Sequence, residues 1–230
     1  MTASELAAFA ALLADRTRAA FCLALLDGRA WTAGELARHA RVAPSTASEH
    51  LGRLVEGGLL AEERQGRHRY VRLADARVAQ LVEDLAAFTG RDPGPPRSLA
   101  DASARSAMAR GRTCYDHLAG RLGIVVTDAM TARGLLRQDA GFALTGSGLG
   151  WFRDLGVPLA PGGRRPVARG CLDWTERRPH LAGLAGAELC RHAFDAGWCV
   201  RIGTERAVRV TPAGERALGE LLGIDAEALG

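Results

Sequence analysis

The sequence predicts a mainly α protein with small β hairpins, a helix-rich N-terminal domain being followed by a C-terminal α+β domain built from an internal duplication. Three observations carry this. Apolar residues recur at helical spacing from Leu6 to Leu54, whereas residues 59–63 and 68–73 alternate like strands around Gln65-Gly66-Arg67. GRDPGPPRS at 90–98 is rich in Gly and Pro and cannot continue a helix. Beyond that seam, ARGRTCYDHLAG (109–120) and VARGCLDWTERRPHLAG (167–183) share Cys-x-Asp and His-Leu-Ala-Gly. The expected organisation is a first domain over 1–90, a linker over 91–107 and a duplicated domain over 108–230.

Each element has a local cause. Leu6, Phe9, Leu12 and Leu13 keep helical spacing, and Asp15 caps a second helix that buries Phe21, Cys22, Leu25 and Leu26 and stops at Gly28. Thr32 and Glu35 form a capping box that opens a short helix with Leu36, Ala37 and Ala40 inward. Arg41-Val42-Ala43 is a tight connection into a further helix starting near Pro44. The alternating hairpin follows, and Arg77 to Phe88 returns to a helix with Val78, Leu81, Val82 and Leu85 on one side. Helix, short turn, helix, hairpin is the order of a winged helix-turn-helix.

The helix from Pro44 has two faces. At 100° per residue, Ala47, Leu51, Leu54 and Val55 share one side, and Thr46, Glu49, His50 and Arg53 the other. Ser45 and Ser48 flank the first turn. Short side chains there let the helix N-terminus approach a surface closely, and its unpaired amides and positive dipole end suit a phosphate. His50 and Arg53 are expected to point outward and offer donors further along, as in a helix lying in a major groove. Arg64, Arg67, His68, Arg69 and Arg72 fall within nine residues that contain no acid. An arginine-studded wing suits phosphate or minor-groove contact. Double-stranded DNA is the expected partner, met by Ser45, Thr46, Ser48, Glu49, His50, Arg53, Arg64, Arg67 and Arg69.

These residues carry a resemblance. Asp15-Arg16-Thr17-Arg18, Glu35-Leu36-Ala37, Ser45-Thr46-Ala47-Ser48-Glu49-His50-Leu51, Gly58-Leu59-Leu60 and Gly66-Arg67 with Tyr70 resemble, in order, the DNA-binding domain of the ArsR (arsenic-repressor-type) transcriptional regulators, over about a third of the chain. The resemblance implies a homodimer built on the first and last helices of that domain, a palindromic operator, and repression relieved by an effector. It also implies that Ser45, Thr46, Ser48 and His50 are helix contacts and Arg67 a wing contact. The metal-sensing members carry thiols in the helix before the reading helix, or Asp and His on the last helix. Here Glu35 to His39 has no Cys and Arg77 to Phe88 has no His, so metal is not expected at those places.

In the C-terminal half each repeat runs through an amphipathic helix to a Gly-apolar pair, Gly134-Leu135 and Gly197-Trp198. Each closes with a strand and a Thr-x-x-Gly helix. Two copies imply a cleft where they meet, with Cys114-Asp116 and Cys171-Asp173 in equivalent positions and Tyr115, His117, Trp174, Arg177 and Arg178 near in sequence. Cys114, Asp116, His117, Cys171, Asp173 and Trp174 are therefore the candidate effector or redox site, for a soft metal, a thiol switch or a small ligand. Cys114 and Cys171 are the only thiols proposed for a metal, and burial as packing residues is the competing reading. The second copy, CLDWTERRPHLAG, also resembles the C-terminal region of long ArsR-type regulators, which names no ligand.

Composition narrows the classes. The chain has 230 residues, 47% hydrophobic and 24% charged, as in a globular protein, with no apolar run long enough for a membrane span. The five cysteines are odd in number and widely spaced, and the acidic, non-basic N-terminus lacks a signal-peptide pattern, so reduced thiols and a cytoplasmic location are expected. All 30 basic residues are arginine, and the net charge of +4 allows an anionic partner without demanding one. Two rivals to effector sensing remain for the C-terminal half. One is a purely structural dimerisation module. The other is a thiol enzyme using Cys114 with His117 three residues on along a helix, which lacks an oxyanion-stabilising Gly-rich turn. The expectation is a regulator and not an enzyme.

Overall fold

Thr2 and Glu5 form a reciprocal capping box that opens α1 (Ala3–Leu13), and Asp15 accepts from the Arg18 amide to open α2 (Arg16–Ala24). A single 3-10 turn follows and closes on Gly28, whose φ of 77° is the left-handed value that a residue without Cβ adopts without strain. The computed structural model describes residues 2–65, 68–89, 95–96, 98–157, 159–160, 165–202 and 206–229. Its chain divides into two units, 1–83 and 84–230.

In the first unit β1 (Trp31–Thr32) runs into α3 (Ala33–Ala40) through the expected Thr32–Glu35 capping box. Left-handed Arg41 turns the chain into α4 (Pro44–Glu56). The strands β2 (Leu60–Gln65) and β3 (His68–Leu73) pair antiparallel, with Gln65 opposite His68; Gly66 and Arg67 of the expected turn lie outside the described residues. β1 adds to the free edge of β3, Trp31 opposite Val71, giving the order β1-β3-β2. Two residues are too short to alternate, so this third strand left no pattern in the sequence. Phe21, Leu25, Leu36, Leu51, Leu54 and Leu59 are fully buried between helices and sheet. Each contributes about 1.5–3 kcal/mol by leaving water. This is a winged helix-turn-helix.

The helix α5 (Ala76–Thr89) contains the boundary between the units. In the second unit α6 (Leu99–Arg110) occupies much of the stretch expected to be linker. Two runs of elements follow. The first is β4 (Arg112–Cys114), β5 (His117–Ala119), α7 (Gly120–Ala132), β6 (Leu136–Arg137), β7 (Ala143–Leu144) and α8 (Gly146–Asp154). The second is β8 (Arg169–Leu172), β9 (Pro179–Ala182), α9 (Gly183–Asp195), β10 (Cys199–Arg201), β11 (Val208–Val210) and α10 (Pro212–Leu222). In each run both hairpins pair antiparallel.

Matching details hold the runs. Thr145 caps α8 by accepting from Gly148 N and donating to Gly134 O, as Thr211 caps α10 by accepting from Gly214 N and donating to Gly197 O. Across the runs, Leu181 N donates to Thr127 Oγ1 at 2.8 Å and Val208 N to Gly111 O at 2.8 Å. A Cβ on Gly123 of α7 would stand 3.5 Å from His180 Cβ, and one on Gly186 of α9 would stand 3.2 Å from His117 Cβ. A shared core of Leu122, Val126, Met130, Phe152, Leu181, Leu189, Trp198, Leu218 and Leu222 lies between the helices.

A Cβ on Gly214 would sit 2.2 Å from the Trp198 carbonyl oxygen, a backbone atom that cannot step aside. Gly214→Ala is therefore expected to cost at least about 1–3 kcal/mol through overpacking. Urea denaturation followed by Trp fluorescence checks it, and an unchanged midpoint would refute the close approach.

Candidate nucleic-acid interface and a buried Cys/His cluster

The N-cap of α4 is Ala43, which has no side-chain oxygen, and Pro44 takes the first helical position. The first-turn amides of α4 are thus left without a side-chain cap, and Ser45 and Thr46 sit inside the helix. Ser45, Ser48, Glu49 and Arg53 are exposed and Thr46 is half-buried. Ser48 Oγ donates back to Pro44 O at 3.0 Å, and Arg53 reaches Glu49 at 2.7 Å. Ala47, Leu51 and Leu54 face the core, as the spacing predicted.

His50 differs from its expected outward direction. Its side chain is 16% exposed, with Nδ1 3.3 Å from Arg18 Nη1 and 3.7 Å from Asp15 Oδ1. Arg18 is itself buried and donates to Leu12 O and Ala11 O, so it ties the end of α1 to α4 through His50. The 100° wheel places His50 at the edge of the polar face, within reach of a neighbouring helix, and spacing along one helix cannot register that neighbour.

On the wing, Arg64 and Arg69 stand directly opposite each other, and Glu62 holds both, at 3.0 Å and 2.7 Å. The Arg64 hydrogen bond, with Arg69 beside it, outweighs the slight cost of desolvation and lowers the Glu62 carboxyl below its ordinary range. Sequence reasoning missed Glu62, although its spacing of two from Arg64 on a strand puts them on one face. Arg67 lies outside the described residues. Ser45, Ser48, Glu49 and Arg53 are on one exposed helix face, and Arg64 is 78% exposed on the wing.

The second cluster lies within the C-terminal unit. Cys114 and His117 are not on a helix, as the enzyme reading required. They end β4 and begin β5 as a directly opposed pair, joined by a two-residue turn with Tyr115 at φ 56°. Cys171 and His180 are the same kind of pair on β8 and β9, with residues 173–178 looping beyond Leu172–Pro179. The hairpins face each other, so the Cys114 and Cys171 sulfurs are 3.6 Å apart and the imidazole centroids 5.1 Å. One ligating atom from each of the four residues lies within 4.8 Å of all the others, and all four residues are buried.

Asp116 lies 3.2 Å from His117 Nδ1 and accepts from both terminal guanidinium nitrogens, Nη1 and Nη2, of Arg165. Asp173 Oδ2 lies 3.4 Å from His180 Nδ1 and accepts from Gly120 N at 2.7 Å, while its Oδ1 meets Arg112 Nη2 at 2.9 Å. Trp174 stays outside the cluster, its ring stacked on the Arg112 guanidinium at 4.6 Å. The Cys114 thiol beside it, then the facing His117 and His180 imidazoles, overcome burial and pull the Cys171 thiol far below its ordinary range. Burial disfavours a charged His117, yet Asp116 and Cys171 outweigh it and raise its pKa. Burial instead pushes Cys22 and Cys190 up to about 12 and Cys199 up to about 11, as expected of inert core thiols. His180 was overlooked in the sequence, although the shared His-Leu-Ala-Gly aligns it with His117.

Comparison with known proteins decides the family. Residues 13–63 match a helix-turn-helix domain family. Over 223 residues, 96% of this chain and 98% of the relative, the sequence is 38% identical to the uncharacterized HTH-type transcriptional regulator YdfF of Bacillus subtilis (strain 168). The chain belongs to the ArsR-type helix-turn-helix transcriptional regulators. It is also 38% identical over 85 residues, 37% of this regulator and 71% of the relative, to the HTH-type transcriptional regulator CmtR of Mycobacterium tuberculosis. The NMR structure of the cadmium metal-sensor CmtR from Mycobacterium tuberculosis is similar over 40% of this chain and 96% of that one, at 33% identity and a TM-score of 0.32. By its family match and its relative over the whole chain, the regulator contains a DNA-binding winged helix-turn-helix, and among the described residues no helix is long and apolar enough to cross a membrane.

Proposed function

We propose that this regulator is a cytoplasmic homodimeric repressor that binds a palindromic operator in double-stranded DNA, and whose DNA affinity is modulated through the C-terminal unit. The observation that carries the reading is the tip of α4. Its first-turn amides have no side-chain cap, Ser45 is exposed beside them, and Ser48, Glu49 and Arg53 are exposed further along the helix. A helix tip of this kind accepts a phosphate while its outward face meets base edges in a major groove. In this reading Ser45, Thr46, Ser48, Glu49 and Arg53 serve α4, and Arg64, Arg67 and Arg69 serve the wing. His50 acts by fixing α4 against Arg18 and Asp15. The recurring element order of the C-terminal unit supports an internal duplication, and an effector site there would comprise Cys114, Asp116, His117, Cys171 and Asp173. All four clustered side chains are buried, which favours a role other than catalysis.

Gel shift on DNA from upstream of the protein's own gene tests the wing. Replacing Arg64 and Arg69 with Ala is expected to weaken binding and to flatten the log-affinity against log-salt slope by roughly one per arginine, hence about four per dimer. An unchanged slope would remove the wing from the interface.

A further inference from the structure

We infer that Cys114, His117, Cys171 and His180 form a closed tetrahedral site for a zinc-class divalent ion, two ligands coming from each hairpin of the C-terminal unit. This names a ligand class for the effector region proposed above and rests on that reading only for its effect on DNA.

Four independent features of the geometry agree. The sulfurs are 3.6 Å apart, far beyond a disulfide but close to the edge of about 3.8 Å that two thiolates make around one tetrahedral ion at the usual Zn–S length of about 2.3 Å. The Nε2 atoms of His117 and His180 are buried and have no hydrogen-bond partner among the described residues, a costly state in a core unless something else takes the lone pair. The other ring nitrogen of His117 is hydrogen-bonded to Asp116 at 3.2 Å, and that of His180, which makes no hydrogen bond among the described residues, stands 3.4 Å from the Asp173 carboxylate. That is how a carboxylate orients a metal-binding imidazole and directs Nε2 at the ion. Finally, each Cys is cross-strand partner to its own His, so one hairpin face presents a sulfur and a nitrogen together.

The donor set selects the ion. Two thiolates and two imidazoles in a tetrahedron suit Zn(II) and disfavour Mg(II) or Ca(II), which prefer oxygen. Two thiolates also neutralise a dication, so no net charge is buried. With four protein ligands the ion has no open position and would pin the two halves of the unit together.

The test uses the full chain, reduced and stripped with a chelator, with Co(II) as the probe. One Co(II) per chain is expected to bind with intense tetrahedral d–d bands and thiolate-to-metal charge-transfer absorption, both lost on adding Zn(II). Cys171→Ser is expected to lose part of the charge-transfer intensity, since only the Cys114 thiolate remains, or to lose the binding altogether. If that variant does not fold, Asp116→Asn answers instead, because Asp116 is a partly exposed second-layer group. It should keep the tetrahedral spectrum while weakening affinity by about 10–100-fold. No uptake by the unmodified protein, weak octahedral bands alone, or Asp116→Asn binding as tightly as the parent would overturn the site. So would recovery of Cys114 and Cys171 as a disulfide that carries no metal. None of these results touches operator binding by the metal-free protein, so a failed metal site and a failed repressor reading are told apart.

Discussion

Replacing Asp173 with alanine is expected to destabilise the C-terminal unit by about 3–5 kcal/mol, the usual cost of removing one partner of a buried ion pair. Arg112 and Asp173 side chains are 1% and 0% exposed, and the guanidinium left behind could not reach water. The same carboxylate also accepts from Gly120 N, Thr175 N, Thr175 Oγ1 and Glu176 N, so one truncation strands donors at the start of α7 and in the β8–β9 loop. Although burial itself opposes ionisation, Arg112 and these donors hold the Asp173 carboxyl well below the ordinary carboxylate range. Urea denaturation with chelator present, followed through Trp151, Trp174 and Trp198, measures the effect without metal occupancy entering. Arg112→Met combined with Asp173→Leu is expected to recover part of the loss, since an apolar pair leaves no uncompensated charge. A midpoint for Asp173→Ala within about 1 kcal/mol of the parent would mean that the pair is not closed to solvent.

Ser48→Glu is expected to abolish specific DNA binding without unfolding the N-terminal unit. Ser48 is exposed in the second turn of α4, and its hydroxyl bonds only within its own helix at Pro44 O. Glutamate there keeps helix propensity but sets a carboxylate against the phosphates that the uncapped tip would meet. Like charges in an interface cost several kcal/mol, so operator affinity should fall at least about 100-fold. Circular dichroism should show no loss of helix. Binding within a few-fold of the parent would take α4 out of the groove.

What the sequence made legible follows from how local each cause is. The Thr32–Glu35 box, the Asp15 cap and the inward set Ala47, Leu51 and Leu54 depend on neighbours within one or two turns. The Thr-x-x-Gly helix starts at Thr145 and Thr211 are equally local, and the structure has both. β1 escaped because two residues have no period. His50 turned against Arg18, and Glu62 across the wing to Arg69, because those contacts depend on tertiary neighbours. The cluster was half legible. Cys114 and Cys171 stood out as a repeated feature, but reading Cys114 and His117 on a helix hid the two-residue turn that pairs them. Six extra residues in the second hairpin then separated Cys171 from His180, so the fourth member went unassigned.

The crossed placement of Gly123 beneath His180 and Gly186 beneath His117 bears on how the unit is made. Each run of elements needs a helix from the other to close its own hairpin. As the chain leaves the ribosome, the first run cannot complete its packing until α9 has emerged some seventy residues later. The C-terminal unit is thus expected to mature in one late cooperative event, and a chain stopped after Asp154 would hold an unfinished half.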